Sequence, residues 1–134
     1  MKVVICASMR HLEQMKRWKE SLEEKGFDVK MPTTFDTHEY PYEVFLEMTS
    51  ITRPHHFKKI HNMKEGVLLV VNKDGYIGAG TFAEVAFAFA LNYCCGHNID
   101  IVFTEPYLGE TPWKEELDVM DIKIYGKDFE FEVF

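Results

Sequence analysis

Residues 66–94 constrain this chain more than any other stretch. Residues 66–71 read GVLLVV, apolar at every position after the glycine. A strand with no polar side has no solvent face, so it belongs inside a parallel sheet covered on both faces. It runs straight into Asn72-Lys73-Asp74-Gly75-Tyr76-Ile77-Gly78-Ala79-Gly80, three glycines in nine residues. Residues 81–94, TFAEVAFAFALNYC, then read as a helix that is apolar nearly all round, and hence buried. A buried strand, a glycine-rich loop and a buried helix together make an α/β unit.

The flanking sequence repeats this alternation. Residues 2–7, KVVICA, are β-branched and apolar on both faces, like a second central strand. Leu12, Met15, Trp18 and Leu22 follow at helical spacing with charged residues between them, and Gly26 supplies the stop. Residues 27–31 read as a short strand ended by Pro32. Tyr42, Phe45 and Met48 suggest a short helix after a loop. Pro54 fits the first turn of the next helix, capped by Thr52, with Phe57, Ile60 and Met63 inward and Lys58, Lys59 and Lys64 outward. Residues 99–103 form a strand, Thr111 and Pro112 open a short helix, and Ile122 and Ile124 mark another strand. The tail, residues 129–133, alternates strictly and reads as a half-exposed strand. The expected fold is one α/β domain over residues 1–134. It is a three-layer sandwich around a mainly parallel, Rossmann/flavodoxin-like sheet of about five strands. The strands at 1–7 and 66–71 should lie side by side at its centre.

Composition narrows the function. The 134 residues are 46% hydrophobic and carry a net charge of −7, which argues against a general binder of nucleic-acid polymers. No apolar run reaches the roughly 20 residues that span a bilayer, and MKVVICAS is too short for a secretory signal, so no membrane association is expected. Cys6, Cys94 and Cys95 make a poor disulfide framework and hold no C-x-x-C, pointing to reduced, mostly buried thiols in a cytoplasmic protein. His38, His55, His56 and His61 have no spacing that would put a metal set on one face and read as solvated or partner-bonded. No metal and no cofactor is expected.

In α/β sheets, ligands bind beyond the carboxyl ends of the strands. Two loops stand there: residues 7–11 and residues 72–81. The second is neither a Walker A loop nor G-x-G-x-x-G, but its glycines let backbone approach a ligand at a helix start. Glu84, three residues after Thr81, has two readings. One is a capping box with Thr81 as N-cap; the other is a carboxylate presented at the mouth of a site. Asp74 likewise reads as a Lys-Asp-Gly turn or as a second carboxylate. Two carboxylates on one sugar would suit glycosyl transfer. Arg10, Arg53, Lys58 and Lys59 could serve a 5′-phosphate, or the lysines could form a solvated face.

The chain resembles the nucleoside 2-deoxyribosyltransferase superfamily, in its small single-domain bacterial and archaeal branch. The resemblance lies in Val4-Ile5-Cys6-Ala7-Ser8-Met9-Arg10, in His56-Phe57-Lys58-Lys59-Ile60 and, most specifically, in residues 70–88. It covers most of residues 2–105. Ala7 stands where the family usually has glycine. The resemblance implies a retaining transfer at the N-glycosidic bond of a nucleoside or nucleoside 5′-monophosphate. Glu84 would be the nucleophile, and Asp74 would orient the sugar or handle the base proton. Asn72, Tyr76, Gly78, Gly80 and Thr81 would line the sugar, with Ser8 and Met9 across the cleft. It also implies a homo-oligomer, a dimer or larger, in keeping with the apolar 81–94 helix. The acceptor, water or a second base, stays open. So do two alternatives: a phosphoribohydrolase-like enzyme, partly mimicked by Gly78-Ala79-Gly80-Thr81-Phe82-Ala83-Glu84, and a nucleotide-binding or sensing domain without turnover.

Overall fold

A computed structural model describes residues 1–32, 42–107 and 113–131, the side chains of residues 42–51 excepted. The chain runs β1 (Lys2–Cys6), α1 (Leu12–Glu24), β2 (Asp28–Lys30), α2 (Tyr42–Met63), β3 (Glu65–Val70), α3 (Ala79–Cys95), β4 (Asn98–Phe103), α4 (Lys114–Asp118) and β5 (Lys123–Ile124). The strands form one five-stranded sheet in the order β2-β1-β3-β4-β5, parallel throughout. This is the expected three-layer α/β sandwich. β1 and β3 are adjacent at the sheet's centre, with Val3 opposite Val67 and Cys6 opposite Val70.

Alternation along each strand divides the core in two. Val4, Cys6, Leu68, Val70, Ile101 and Phe103 face α2 and α3, meeting Ile60, Met63, Val85, Ala88 and Leu91. Val3, Ile5, Val67, Leu69 and Val102 face the other way, onto Met15 and Leu22 of α1. Each fully buried aliphatic side chain contributes about 1.5–3 kcal/mol relative to exposure. α1 ends as the sequence suggests: Gly26 takes φ +90° and the Phe27 N–H returns to the Leu22 carbonyl at 3.1 Å.

Several elements differ from the sequence reading. Pro54 does not open a helix; it lies inside α2, which runs unbroken from Tyr42 to Met63. Proline in a helix interior removes one backbone hydrogen bond. Here the helix continues because His56, Ile60 and Met63, at helical spacing just beyond it, are buried against the sheet. α3 begins at Ala79 rather than Thr81 and buries one face only: Thr81, Glu84, Val85, Ala88 and Leu91. Tyr93, on its far side, is 83% exposed. Cys94 and Cys95 are free and exposed, not buried, because the last turn of α3 carries them past the core; Cys6 is free and buried.

The tail is not a strand over its described part. Among the described residues beyond β5 one bridge forms, between Tyr125 and Phe129. Phe129 and Phe131 instead cover the α1 side of the core beside Trp18, Tyr125 and Phe27. Their alternation with glutamates sorts core from solvent without needing a partner strand. His38, the Thr111-Pro112 helix start and residues 132–134 lie outside the described residues.

Gly66 is fixed by geometry at the start of β3. Its φ is +149°, and a Cβ there would stand 2.4 Å from the Lys2 carbonyl oxygen of β1. Gly66→Ala must push the two central strands apart at that end. It should lower the unfolding free energy by about 2–4 kcal/mol, measured by urea denaturation; a variant as stable as wild type would contradict this packing.

Candidate functional site

The chain leaves β1 towards one edge of the sheet and leaves β3 towards the other. Their carboxyl ends therefore flank a topological switch point, the place where, in sheets of this kind, connecting loops part and form a ligand crevice. After β1 come Ala7, Ser8 and a 3-10 turn, Met9–His11. After β3 come Asn72, a second 3-10 turn, Lys73–Gly75, and the start of α3.

The N-cap of α3 is Gly78, whose carbonyl accepts the Phe82 N–H at 2.9 Å, and no side chain caps the helix. Thr81 therefore sits inside the first turn, buried, and does not form a capping box with Glu84. That frees the Glu84 carboxyl for other work. It is 8% exposed and points back towards the end of β1, where the buried Cys6 thiol faces it. α2 supplies the remaining neighbours. His56 Nε2 lies 3.7 Å from Glu84 Oε2. The Arg53 guanidinium reaches the first turn of α3, where a Cβ on Gly80 would meet its Nη2 at 2.8 Å. A bare glycine at position 80 is what lets that cation approach the helix start.

Burial dominates the electrostatics. It pushes the Glu84 carboxyl up to about 7, against the opposing pull of the facing Cys6 thiol and the Arg53 charge. It pushes the Cys6 thiol well above the usual thiol range, with the Glu84 charge adding to the effect. It pushes His56 down to about 4, helped by the nearby Lys59 charge. The Ile5 backbone also faces the His56 ring, but outside hydrogen-bonding geometry.

The other residues expected at the site fall into three groups. Tyr76, Gly78, Gly80 and Thr81 all lie on the approach to α3 or in its first turn. Tyr76 is partly exposed, with the Arg10 guanidinium 3.8 Å over its ring and the His11 ring edge-on at 6.0 Å. Asp74 and Asn72 are held from the β4 side. The Asn72 side chain is wholly buried; its Nδ2 donates to the Glu105 carbonyl at 2.7 Å, and its Oδ1 accepts from the Glu105 N–H and the Thr104 hydroxyl. Asn72 thus ties the loop after β3 to the loop after β4. Asp74 takes φ +60°, a conformation aspartate tolerates, and its N–H donates to the Glu105 carboxylate at 3.2 Å. The turn reading of Asp74 is therefore correct as geometry, and it leaves the side chain exposed. Ser8 and Met9 follow β1, but Met9 packs on the α1 side of the sheet, opposite Glu84.

Sequence reasoning missed His56, Cys6, His11 and Glu105. His56 is neither solvated nor hydrogen-bonded, the two states expected of the histidines. His11 is buried, its Nδ1 3.2 Å from the Val71 carbonyl oxygen. Cys6 carried a signal that could have been used: it is the last residue of a central strand, next to the crevice. His56 carried none, because its role depends on the contact of α2 with α3.

Among the described residues no three His, Cys, Asp or Glu side chains come together to hold a metal ion, and no helix is long and apolar enough to cross a membrane. Comparison with protein-family models, with curated proteins and with solved structures found no match for this chain.

The shifted carboxyl makes stability depend on pH. Glu84 holds its proton in the fold up to about 7, whereas the usual value is 4.5. Its contribution is fully present below 4.5 and is lost as pH rises through 7. His56 acts oppositely between 4 and 6.5, since the fold keeps it neutral. The two largely cancel until His56 is neutral in both states. Glu84→Gln removes only the first. Its melting temperature should therefore gain on wild type as pH rises from 5 to 8, as followed by calorimetry. A constant difference would show that Glu84 is not held protonated by the fold.

Proposed function

We propose that this protein acts on the N-glycosidic bond of a nucleoside or nucleoside 5′-monophosphate, as its resemblance to the nucleoside 2-deoxyribosyltransferases implies, with Glu84 as nucleophile. One observation carries the reading. Glu84 is a buried carboxyl beside the switch-point crevice that caps no helix and is held near neutrality. A buried carboxyl costs stability, and no structural duty here offsets that cost.

In the first step a Glu84 carboxylate oxygen bonds to C1′ of the sugar. The C1′–N bond breaks, and the base leaves with its electron pair and takes up a proton. In the second step water, or a nitrogen of a second base, attacks C1′ from the opposite face and gives up a proton. The ester bond breaks and the carboxylate is restored. Two inversions give net retention through oxocarbenium-like transition states. Exposed Asp74 is the acid nearest in sequence to the crevice and serves the base or sugar hydroxyls. Tyr76 offers an aromatic face on the same side, and Arg10 and Arg53 offer cations to a 5′-phosphate.

A homo-oligomer belongs to the same reading, supported by the exposed Tyr93 on the outer side of an apolar α3. Sedimentation at micromolar concentration should give a dimer or larger species; a monomer would remove this part.

The decisive test is incubation with a panel of nucleosides and 5′-monophosphates, followed by chromatography for free base. Wild type should release base from at least one of them. Glu84→Gln should lose several powers of ten in rate, each worth about 1.4 kcal/mol of barrier, while staying folded. Binding that survives Glu84→Gln, with no turnover by wild type, would replace this reading with a nucleotide-binding domain.

A further inference from the structure

Among the described residues, the two ring nitrogens of His56 are the only fully inaccessible side-chain nitrogen or oxygen atoms that lack a hydrogen-bond partner. The residue is 2% exposed. Leaving such a group unsatisfied is costly, and its presence in a fold calls for an explanation. The nearest charged group is Glu84, whose Oε2 is 3.7 Å from His56 Nε2. That separation is slightly long for a hydrogen bond, and a side-chain shift of less than 1 Å would close it.

We propose that His56 is a positioning residue for Glu84: its Nε2–H donates to Glu84 Oε2 once the carboxyl has ionised, leaving the other oxygen to meet the substrate. This rests on the reading of Glu84 as nucleophile. His56 is anchored for the task. It lies one turn before the buried Ile60, and its buried ring sits between Glu84 of α3 and Ile5 of β1. The two groups come from helices that meet face to face, with Phe57 of α2 against Phe87 of α3 at 5.2 Å between ring centroids. A carboxylate free to rotate presents either oxygen in many directions. One tied by Oε2 presents Oε1 in a fixed direction, the arrangement that in-line attack on C1′ needs.

The proton balance supports the same assignment. Burial keeps the imidazole neutral down to about 4, so its N–H is present throughout the range in which Glu84 ionises. The other groups facing the pair are the Cys6 thiol from β1, and Arg53 and Lys59 from α2; the buried run Val67–Val70 of β3 is apolar. Cys6 and Arg53 both favour the carboxylate, and His56 joins them as a neutral donor.

Two measurements test this. In wild type, nitrogen-15 shifts of the His56 ring should show a neutral Nε2–H tautomer from pH 5 to 8; an Nδ1–H tautomer would overturn the proposal. In His56→Phe, which keeps volume and loses the donor, carbon-13 titration of Glu84 should place its midpoint about one pH unit higher. The acid limb of kcat/KM for base release should move with it, and the high-pH plateau should fall as well, because the ionised carboxylate is no longer held in one orientation. His56→Gln, whose Nε2 stands in for the imidazole nitrogen, should restore the limb. A midpoint unmoved or lowered in a folded His56→Phe would overturn the proposal even if base release is confirmed. If no nucleoside is cleaved but the midpoint moves as stated, the couple stands and the nucleophile reading falls.

Discussion

Everything at the site depends on two parallel strands that have no polar face. β1 and β3 bury Val3–Cys6 and Val67–Val70 entirely, so each side of the pair must be roofed by helices. Parallel pairing also sends both strands' carboxyl ends to the same rim. The chain then departs in opposite directions, the topology that in sheets of this kind opens a crevice between the connections. The crevice is therefore a by-product of covering an apolar sheet. The loops around it are fastened to one another: Asn72 is wholly buried and spans to Thr104 and Glu105, so the rim holds its shape across the carboxyl ends of β3 and β4.

α2 and α3 then supply the chemistry. Both are anchored by apolar contacts on the same side of the sheet. Arg53 and His56 lie one helical turn apart on α2, and Glu84 lies one turn into α3 beyond Gly80. Docking the two helices brings cation, imidazole and carboxyl together in one step. Glycine at position 80 leaves room for the Arg53 guanidinium against the first turn of α3, and a side chain there would shift that guanidinium. Pro54 sits in the middle of the segment that makes the contact, a place where helix propensity alone would end the helix. Burial of Ile60 and Met63 outweighs it.

The architecture was legible because it follows from hydrophobic period. Continuous apolar runs at 2–7 and 66–71 specify central parallel strands, and Gly26 specifies a helix end. Glu84 was legible as a lone acid in an apolar helix, though spacing left it undecided between cap and site. The cap is settled by one feature of the backbone: α3 starts at Ala79, which moves Thr81 off the N-cap position. What sequence period could not show was long-range pairing. His56 and Glu84 are 28 positions apart, and nothing local distinguishes a histidine facing a carboxyl from one facing solvent. The tail misled for a related reason, since alternation reports which residues face the core and says nothing of whether a strand lies alongside.

The position of Glu84 reflects two opposed demands on a carboxylate nucleophile. In water it would be fully ionised but solvated, and its attack would first have to shed that water. In a wholly apolar pocket it would stay protonated and would not attack at all. Glu84 is placed between these limits. Burial alone drives it upward, and the Cys6 thiol and the Arg53 charge pull it back to about 7. Removing Arg53 would push the carboxyl further towards its neutral form, and opening the pocket would return it towards 4.5. The cost of holding it there falls on the fold, which is why a site of this kind needs the unbroken apolar centre formed by β1 and β3.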